Sequence, residues 1–380
     1  MLTTVTSPLS LLEVPIKGKI TYRFTQLQEE LVLRKSNFNI KLQTRVKQRS
    51  RDEVVANLAQ ILKEGLPYRI YRLDIKSFYE SFDLDMIYEK INKETYFDPH
   101  TKKLVISFFS NYVISGGKGL PRGLSISATL AEYLMGPFDR YVLRSNNVSF
   151  YARYVDDIVI VTSGNENPHE FLNKIKKILP NNLEFSKKKE YIKEVIKVKT
   201  VKKPTDAKIS AKFDYLGYKF TISDPIKISD LPLGKHFREL NLDIADNKVN
   251  KIKFKVTKSL MEFHRKGNYN LLKNRIKLLT NNYNVLDRSL GIKINVGIYS
   301  SYHRVQAEKS VGLKALDIFL AKAIFSKNFH KPPHKKFFLS VTQKNELVKA
   351  SFYSGFTNKS FVHFSPSMQI KIQKCWTYAV

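Results

Sequence analysis

Two adjacent aspartates, Asp156 and Asp157, stand in the stretch YARYVDDIVIV, where apolar residues on both flanks read as a buried hairpin. A buried carboxylate without a cation costs several kcal/mol, so each acid needs a positive partner. A third acid, Asp74, ends the strand-like run YRIYRLD, in which Tyr71, Leu73 and Ile75 point one way and Ile70 and Asp74 the other. Three carboxylates gathered within a few ångströms cannot all stay ionised without cations. Two Mg²⁺ ions would satisfy them, because magnesium takes hard oxygen ligands and keeps positions open for phosphates. Such a site suits in-line phosphoryl displacement, one ion activating a 3′-hydroxyl and the other stabilising the leaving pyrophosphate. An Asp-Asp pair in isolation is also a common polar turn, so the elements around it carry the argument.

Those elements run strand, helices, glycine-rich loop and helix, hairpin, helix, strand. That order is what a four-stranded sheet backed by two helices needs to bring the three acids together. Ser50 and Glu53 have capping-box spacing ahead of a helix with Val54, Val55, Leu58, Ile61 and Leu62 on its apolar face, ended by Gly65 and Pro67. Residues 84–112 read as mostly helical, and SGGKGLPRGLS is the glycine-rich loop. The next helix begins near Ser127, with Leu130, Tyr133 and Leu134 on one face, and Gly136-Pro137 should kink or end it. HEFLNKIKKIL is amphipathic, NLEFSKKKEYI reads as a turn into a strand, and FDYLGYKFTI as a strand pair around Gly217. From about residue 235 the texture becomes basic and helical, notably over 249–265, 269–279 and 311–325. The shift at SDPIKISDLPLGK marks the candidate domain boundary.

The 380 residues are 43% hydrophobic and 12% aromatic, enough for real cores, and 65 Lys+Arg against 34 Asp+Glu leave a net charge of +31. A surplus of that size on a folded chain implies a polyanionic partner, nucleic acid above all. It is not concentrated in one amphipathic helix, as a membrane-surface binder would require. One cysteine, Cys375, excludes a disulfide framework and paired-cysteine zinc sites, and fits a reducing compartment. The start MLTTVTSPLS has no basic segment ahead of an apolar core, and no apolar run approaches the ~20 residues that span a bilayer. The expectation is a soluble, cytoplasmic protein.

YRLDIKSFYESF, GLPRGLSISATLAEYL, YARYVDDIVIV, NLEFSKKKEYI and FDYLGYKF resemble, in order, the A to E motifs of reverse transcriptases, over residues 14–222. A Tyr-x-Asp-Asp hairpin correctly spaced behind a strand-end Asp is a specific signal. RLDIKSFYESF and LPRGLSISATLAEYL are most similar to the bacterial defence-associated, unknown-group or abortive-infection-like class. Retron and group II intron enzymes are similar but usually carry Gln in the glycine-loop motif. The resemblance implies an α+β right-hand polymerase: an N-terminal segment and fingers over 1–73, a palm with a four-stranded antiparallel sheet backed by helices over 74–230, and a basic helical thumb over 231–380. It implies an RNA-directed DNA polymerase that copies RNA from dNTPs with two Mg²⁺ ions, in antiphage defence. A noncoding RNA template, a second reverse transcriptase subunit and a higher oligomer come with the suggested subgroup.

Roles carry over position by position. Asp74 and Asp156 resemble the metal-bridging acids, with Asp157 as the third acid and the Ile75 carbonyl as an added ligand. Tyr79 matches the aromatic gate against a ribose 2′-hydroxyl; as a bare residue it also fits a core aromatic beside Phe78 and Phe82. Arg122-Gly123 occupies the family's Gln-Gly position, and Arg122 is the departure, adding a charged planar fork. Arg49 and Arg51, with Lys47, match a triphosphate clamp, and Lys189 matches the lysine opposite the pyrophosphate. Gly217 resembles the primer-grip turn. Arg304 and His303, in VGIYSSYHRV, suit either a nucleic-acid grip or a core stripe. The alternatives are a retron or intron-type enzyme and a catalytically silent RNA-binding scaffold.

Overall fold

The computed structural model describes residues 10–16, 18–196, 207–227, 236–287, 292–326 and 337–377. The chain divides into two compact units, Met1–Thr200 with Ile228–Phe237, and Val201–Lys227 with Arg238–Val380.

The first unit opens with an antiparallel hairpin, β1 (Leu11–Ile16) and β2 (Lys19–Phe24). Helices α1 (Leu27–Thr44) and α2 (Arg51–Ile61) follow, the latter capped by the Ser50 side chain accepting from the Glu53 N–H. Strand β3 (Tyr68–Asp74) leads to α3 (Leu84–Lys93), α4 (Pro99–Ile114) and α5 (Ser125–Leu143). Then come β4 (Val148–Tyr154), β5 (Asp157–Thr162), α6 (Pro168–Ile178) and β6 (Tyr191–Val195). The four strands form one antiparallel sheet in the order β4-β5-β3-β6. The inner strand β5, DIVIVT, reads as an almost continuous apolar run because both of its faces are covered. Tyr71, Leu73, Ile75, Ile158 and Ile160 enter the large core with residues of α4, α5 and α6. Ile70, Val159 and Val161 are equally buried on the other side of the strands, and α2 packs at β4.

Of the two outcomes expected at Gly136-Pro137, a kink or an end, the end does not occur: helix α5 continues through Pro137 to Leu143. Pro137 lies on the exposed side, where the carbonyl it deprives of an N–H can meet water, while Leu134, Met135 and Phe138 stay buried.

The second unit is richer in strands than its basic, helical texture suggested. β7 (Ile209–Tyr215), β8 (Tyr218–Lys227) and β9 (His236–Ile244) form a three-stranded sheet. After α7 (Asp246–Lys266) and α8 (Tyr269–Thr280), β10 (Asn282–Asp287) pairs with β11 (Ile292–Gly297). Helices α9 (Val311–Phe325), α10 (Val341–Leu347), α11 (Phe352–Thr357) and α12 (Pro366–Thr377) complete it. Part of the candidate boundary, 228–235, lies outside the described residues. No helix among the described residues is long and apolar enough to cross a membrane.

Candidate active site

The register of the sheet places the acids. Asp74, the last residue of β3, lies directly opposite Asp157, the first of β5, and the Ile75 N–H donates to the Asp156 carbonyl at 3.0 Å. Asp74 is 5% exposed, and Asp156 and Asp157 are half-buried. Directly opposed residues share a face of the sheet, so Asp74 and Asp157 repel unless cations intervene.

Two protein cations do so. The segment leading into β6 turns back on β3: the Ser186 N–H donates to the Asp74 carbonyl at 2.7 Å, and a single 3₁₀ turn, Lys187–Lys189, follows. That turn delivers Lys189, the third of three consecutive lysines, so that its Nζ donates to Asp74 Oδ1 at 2.8 Å and Oδ2 at 2.9 Å. Asp157 instead lies 3.8 Å from Arg72. Burial, then the neighbouring Asp156 charge, push Asp157 up to about 6, with Arg72 pulling the other way. Burial also raises Asp156, aided by Asp74 and opposed by Lys189 and Lys19. The hydrogen bond to Asp74 holds the Lys189 ammonium above its ordinary value.

Sequence reasoning expected three carboxylates converging on metal. Among the described residues no three acidic, histidine or cysteine side chains stand arranged to hold a metal ion; Lys189 holds Asp74, and Arg72 lies 3.8 Å from Asp157. The donor set nevertheless fits a hard divalent cation: three carboxylates at one end of the central strand pair, with Asp156 and Asp157 both raised chiefly by burial.

The turn carrying Asp156 is strained. Val155 has φ +60°, a left-handed conformation that β-branched residues avoid. Its carbonyl accepts from Arg153 Nη1 at 3.1 Å. Arg153 is 6% exposed and spreads its fork over Glu132 (2.7 and 3.0 Å) and Asp139 (2.7 and 2.9 Å), both on α5. The turn is thereby tied to the helix behind the sheet. Sequence reasoning missed this anchor; the alternation that buries Tyr151 buries Arg153 with it, which was the available signal.

The glycine loop docks beside Tyr79. The Leu120 N–H donates to the Tyr79 carbonyl at 2.7 Å, and a Cβ on Gly119 would lie 2.5 Å from that oxygen. Gly123 has φ +98°, and a Cβ there would lie 2.9 Å from the Tyr22 carbonyl on β2, while the Tyr22 N–H donates to the Arg122 carbonyl at 2.7 Å. Arg122 forks onto Glu80 at 3.0 and 3.1 Å and lies 5.1 Å from the centre of the Tyr79 ring. Tyr79 is half-buried, and burial, then the Glu132 charge, raise its phenol.

The remaining expectations scatter. Arg49 Nη1 donates to the Tyr151 carbonyl of β4 at 2.9 Å, at the start of α2 with Arg51, while Lys47 is exposed. Gly217 forms the two-residue turn of the β7–β8 hairpin with Leu216, in the second unit. Arg304 lies in the turns after β11, also in the second unit, where Tyr302 meets Tyr218 edge-on at 6.0 Å and His303 is exposed.

Residues 17–220 match the family described as reverse transcriptase (RNA-dependent DNA polymerase). No curated protein matches the sequence. Among solved structures, apo telomerase from Candida tropicalis truncated from its C-terminal domain is 13% identical, with 58% of this chain and 55% of that chain covered and a TM-score of 0.35. Telomerase from Candida albicans, in complex with a TWJ fragment of telomeric RNA, is 11% identical over 98% of this chain and 64% of its own, at 0.37. Apo telomerase from Candida tropicalis is 11% identical over 98% and 65%, at 0.40. The chain thus spans less than two thirds of the length of each.

Proposed function

The chain belongs to the reverse transcriptase family, and from that membership we propose that it polymerises DNA from dNTPs on an RNA template at the Asp74–Asp156–Asp157 cluster. The observation that carries the reading is the register pairing of Asp74 with Asp157, with Asp156 in the adjoining turn and Lys189 on Asp74. Asp74, Asp156 and Asp157, with the Ile75 carbonyl, are the groups that would hold Mg²⁺. When bound, it would supply Lewis-acid activation of a 3′-hydroxyl and charge stabilisation at the leaving pyrophosphate.

The chain's own residues supply the rest. Tyr79 closes the sugar pocket to a 2′-hydroxyl, and the glycine loop through Gly123, with Arg122, shapes the face of the incoming nucleotide. Lys189 exchanges its hold on Asp74 for the pyrophosphate. Arg49 and Arg51 flank the triphosphate path, and Gly217 and Arg304 serve the primer and template. Fingers, palm and thumb correspond to 1–73, 74–230 and 231–380.

Sequence resemblance supports the finer reading: a cytoplasmic bacterial antiphage enzyme copying a noncoding RNA beside a second reverse transcriptase. Primer extension with purified protein, offering each dNTP and rNTP separately with Mg²⁺, tests the core of it. Extension by dNTPs that vanishes in Asp156→Ala/Asp157→Ala is the expected result. Synthesis that survives that change, or that uses rNTPs equally well, would overturn it.

A further inference from the structure

Far along the sequence from the acids, within the second unit, α7, the start of α8 and α12 enclose a groove of about 690 Å³. Six cations line it, Lys258, Arg265, Lys266, Arg275, Lys371 and Lys374, against one acid, Glu262. Glu262 is already shared between Arg265 at 2.6 Å and Lys266 at 2.8 Å.

The cation at the floor is the informative one. Arg275 is 3% exposed, and its Nε donates to the Ile372 carbonyl at 3.1 Å. Among the described residues it makes no ion pair, and its terminal nitrogens have no hydrogen-bond partner while the side chain lines the groove. Glu262 acts on it only at a distance, a buried guanidinium with no carboxylate in contact is costly, and an anion entering the groove would meet its fork in the bidentate geometry that phosphate prefers. Apolar atoms of Met261, Phe263 and Leu271 form the walls between the cations. Basic floor and apolar walls together match the way single strands are held, backbone on cations and bases on apolar surface.

We propose that this groove binds a single-stranded nucleic acid, with one backbone phosphate seated on Arg275. A rigid duplex keeps its bases stacked inward and cannot push a nucleotide down to a side chain buried that deeply, whereas an unpaired strand can. The groove shares no residue with the polymerisation cluster, and its occupancy does not depend on the catalytic assignment.

The chain's one cysteine, Cys375, lines the same groove half-buried, so its alkylation reports occupancy. The experiment measures the rate of maleimide reaction in the full chain alone, with a short unstructured RNA, with that RNA annealed to its complement, and with a free nucleoside triphosphate. The single strand is expected to slow the reaction about tenfold, and the duplex and triphosphate to leave it nearly unchanged. Arg275→Lys and the surface variant Lys371→Glu/Lys374→Glu should lose that protection while keeping the parent's thermal unfolding. Exposed Lys314→Glu should retain it. Protection should persist in Asp156→Ala/Asp157→Ala, which separates this site from failure of the polymerase reading. Equal protection by duplex or by triphosphate would overturn the proposal, as would full protection in Lys371→Glu/Lys374→Glu.

Discussion

Lys189 donates to both carboxylate oxygens of Asp74 from 115 residues away in sequence. A divalent ion that uses Asp74 must therefore displace a protein ammonium. The lysine side chain is 56% exposed, so the pair contributes no more than about 1 kcal/mol, equivalent to roughly fivefold in affinity. Lys189→Gln is expected to bind Mg²⁺ up to about fivefold more tightly, read by calorimetry without nucleotide, while primer extension slows. Unchanged or weaker Mg²⁺ binding would remove the competition.

Asp157 sits above its ordinary value of 3.8, at about 6, chiefly through burial and the Asp156 charge. The folded chain holds that proton more tightly than the unfolded one, so stability is greatest at low pH and falls as pH rises through about 6. The shift corresponds to at most about 3 kcal/mol, and a side chain 30% exposed brings the expectation to about 1–2 kcal/mol. Asp157→Asn should gain that stability at pH 8 in chelator and lose the advantage near pH 4, by urea unfolding. A variant less stable than the parent at pH 8 would contradict the electrostatic account.

The palm-like sheet and its acids were legible because both-face burial writes apolar runs, and because Asp74, Asp156 and Asp157 interrupt them where no apolar role exists. What could not be read depends on partners distant in sequence. Arg122 read only as an added charged planar fork, and that Glu80, 42 residues earlier, holds it could not be seen in the sequence. The family resemblance picked Lys189 out from Lys187 and Lys188, but its hold on Asp74 depends on the 3₁₀ turn that delivers it. Strand β9 was missed because Arg238, 1% exposed, stands in the same alternating set as buried Leu240, Leu242 and Ile244.

Arg153 joins two acids of α5 to the strained Val155 turn, and its side chain is 3% exposed. Arg153→Met leaves Glu132 and Asp139 without their cation and should cost about 3–5 kcal/mol in urea unfolding. Arg153→Lys keeps the charge without the fork and should cost distinctly less, while still lowering the extension rate through a loosened Asp156. Equal stability of Arg153→Met and the parent would exclude the anchoring role.

Gly123 combines φ +98° with a Cβ position 2.9 Å from the Tyr22 carbonyl. Alanine there strains the backbone and presses on β2, at a cost of about 1–3 kcal/mol. The expected result for Gly123→Ala is a lower unfolding midpoint and a raised KM for dNTPs. A parent-like KM alongside the lower midpoint would mean that the loop serves the fold alone.

Arg122 holds Glu80 and covers the Tyr79 ring. Both partners of this ion pair are partly exposed, 27% and 40%, so the pair itself adds less than about 1 kcal/mol to stability. Its consequence lies in fixing the ring. Arg122→Ala should leave the unfolding midpoint almost unchanged and let Tyr79 yield to a 2′-hydroxyl, raising the rNTP to dNTP ratio of kcat/KM severalfold. Tyr79→Ala should raise the same ratio further, and the two changes together should add nothing beyond Tyr79→Ala, because Arg122 acts through that ring. If Arg122→Ala raises KM for dNTPs and rNTPs alike with the ratio unmoved, the arginine contacts the nucleotide's phosphates or base and does not position the ring.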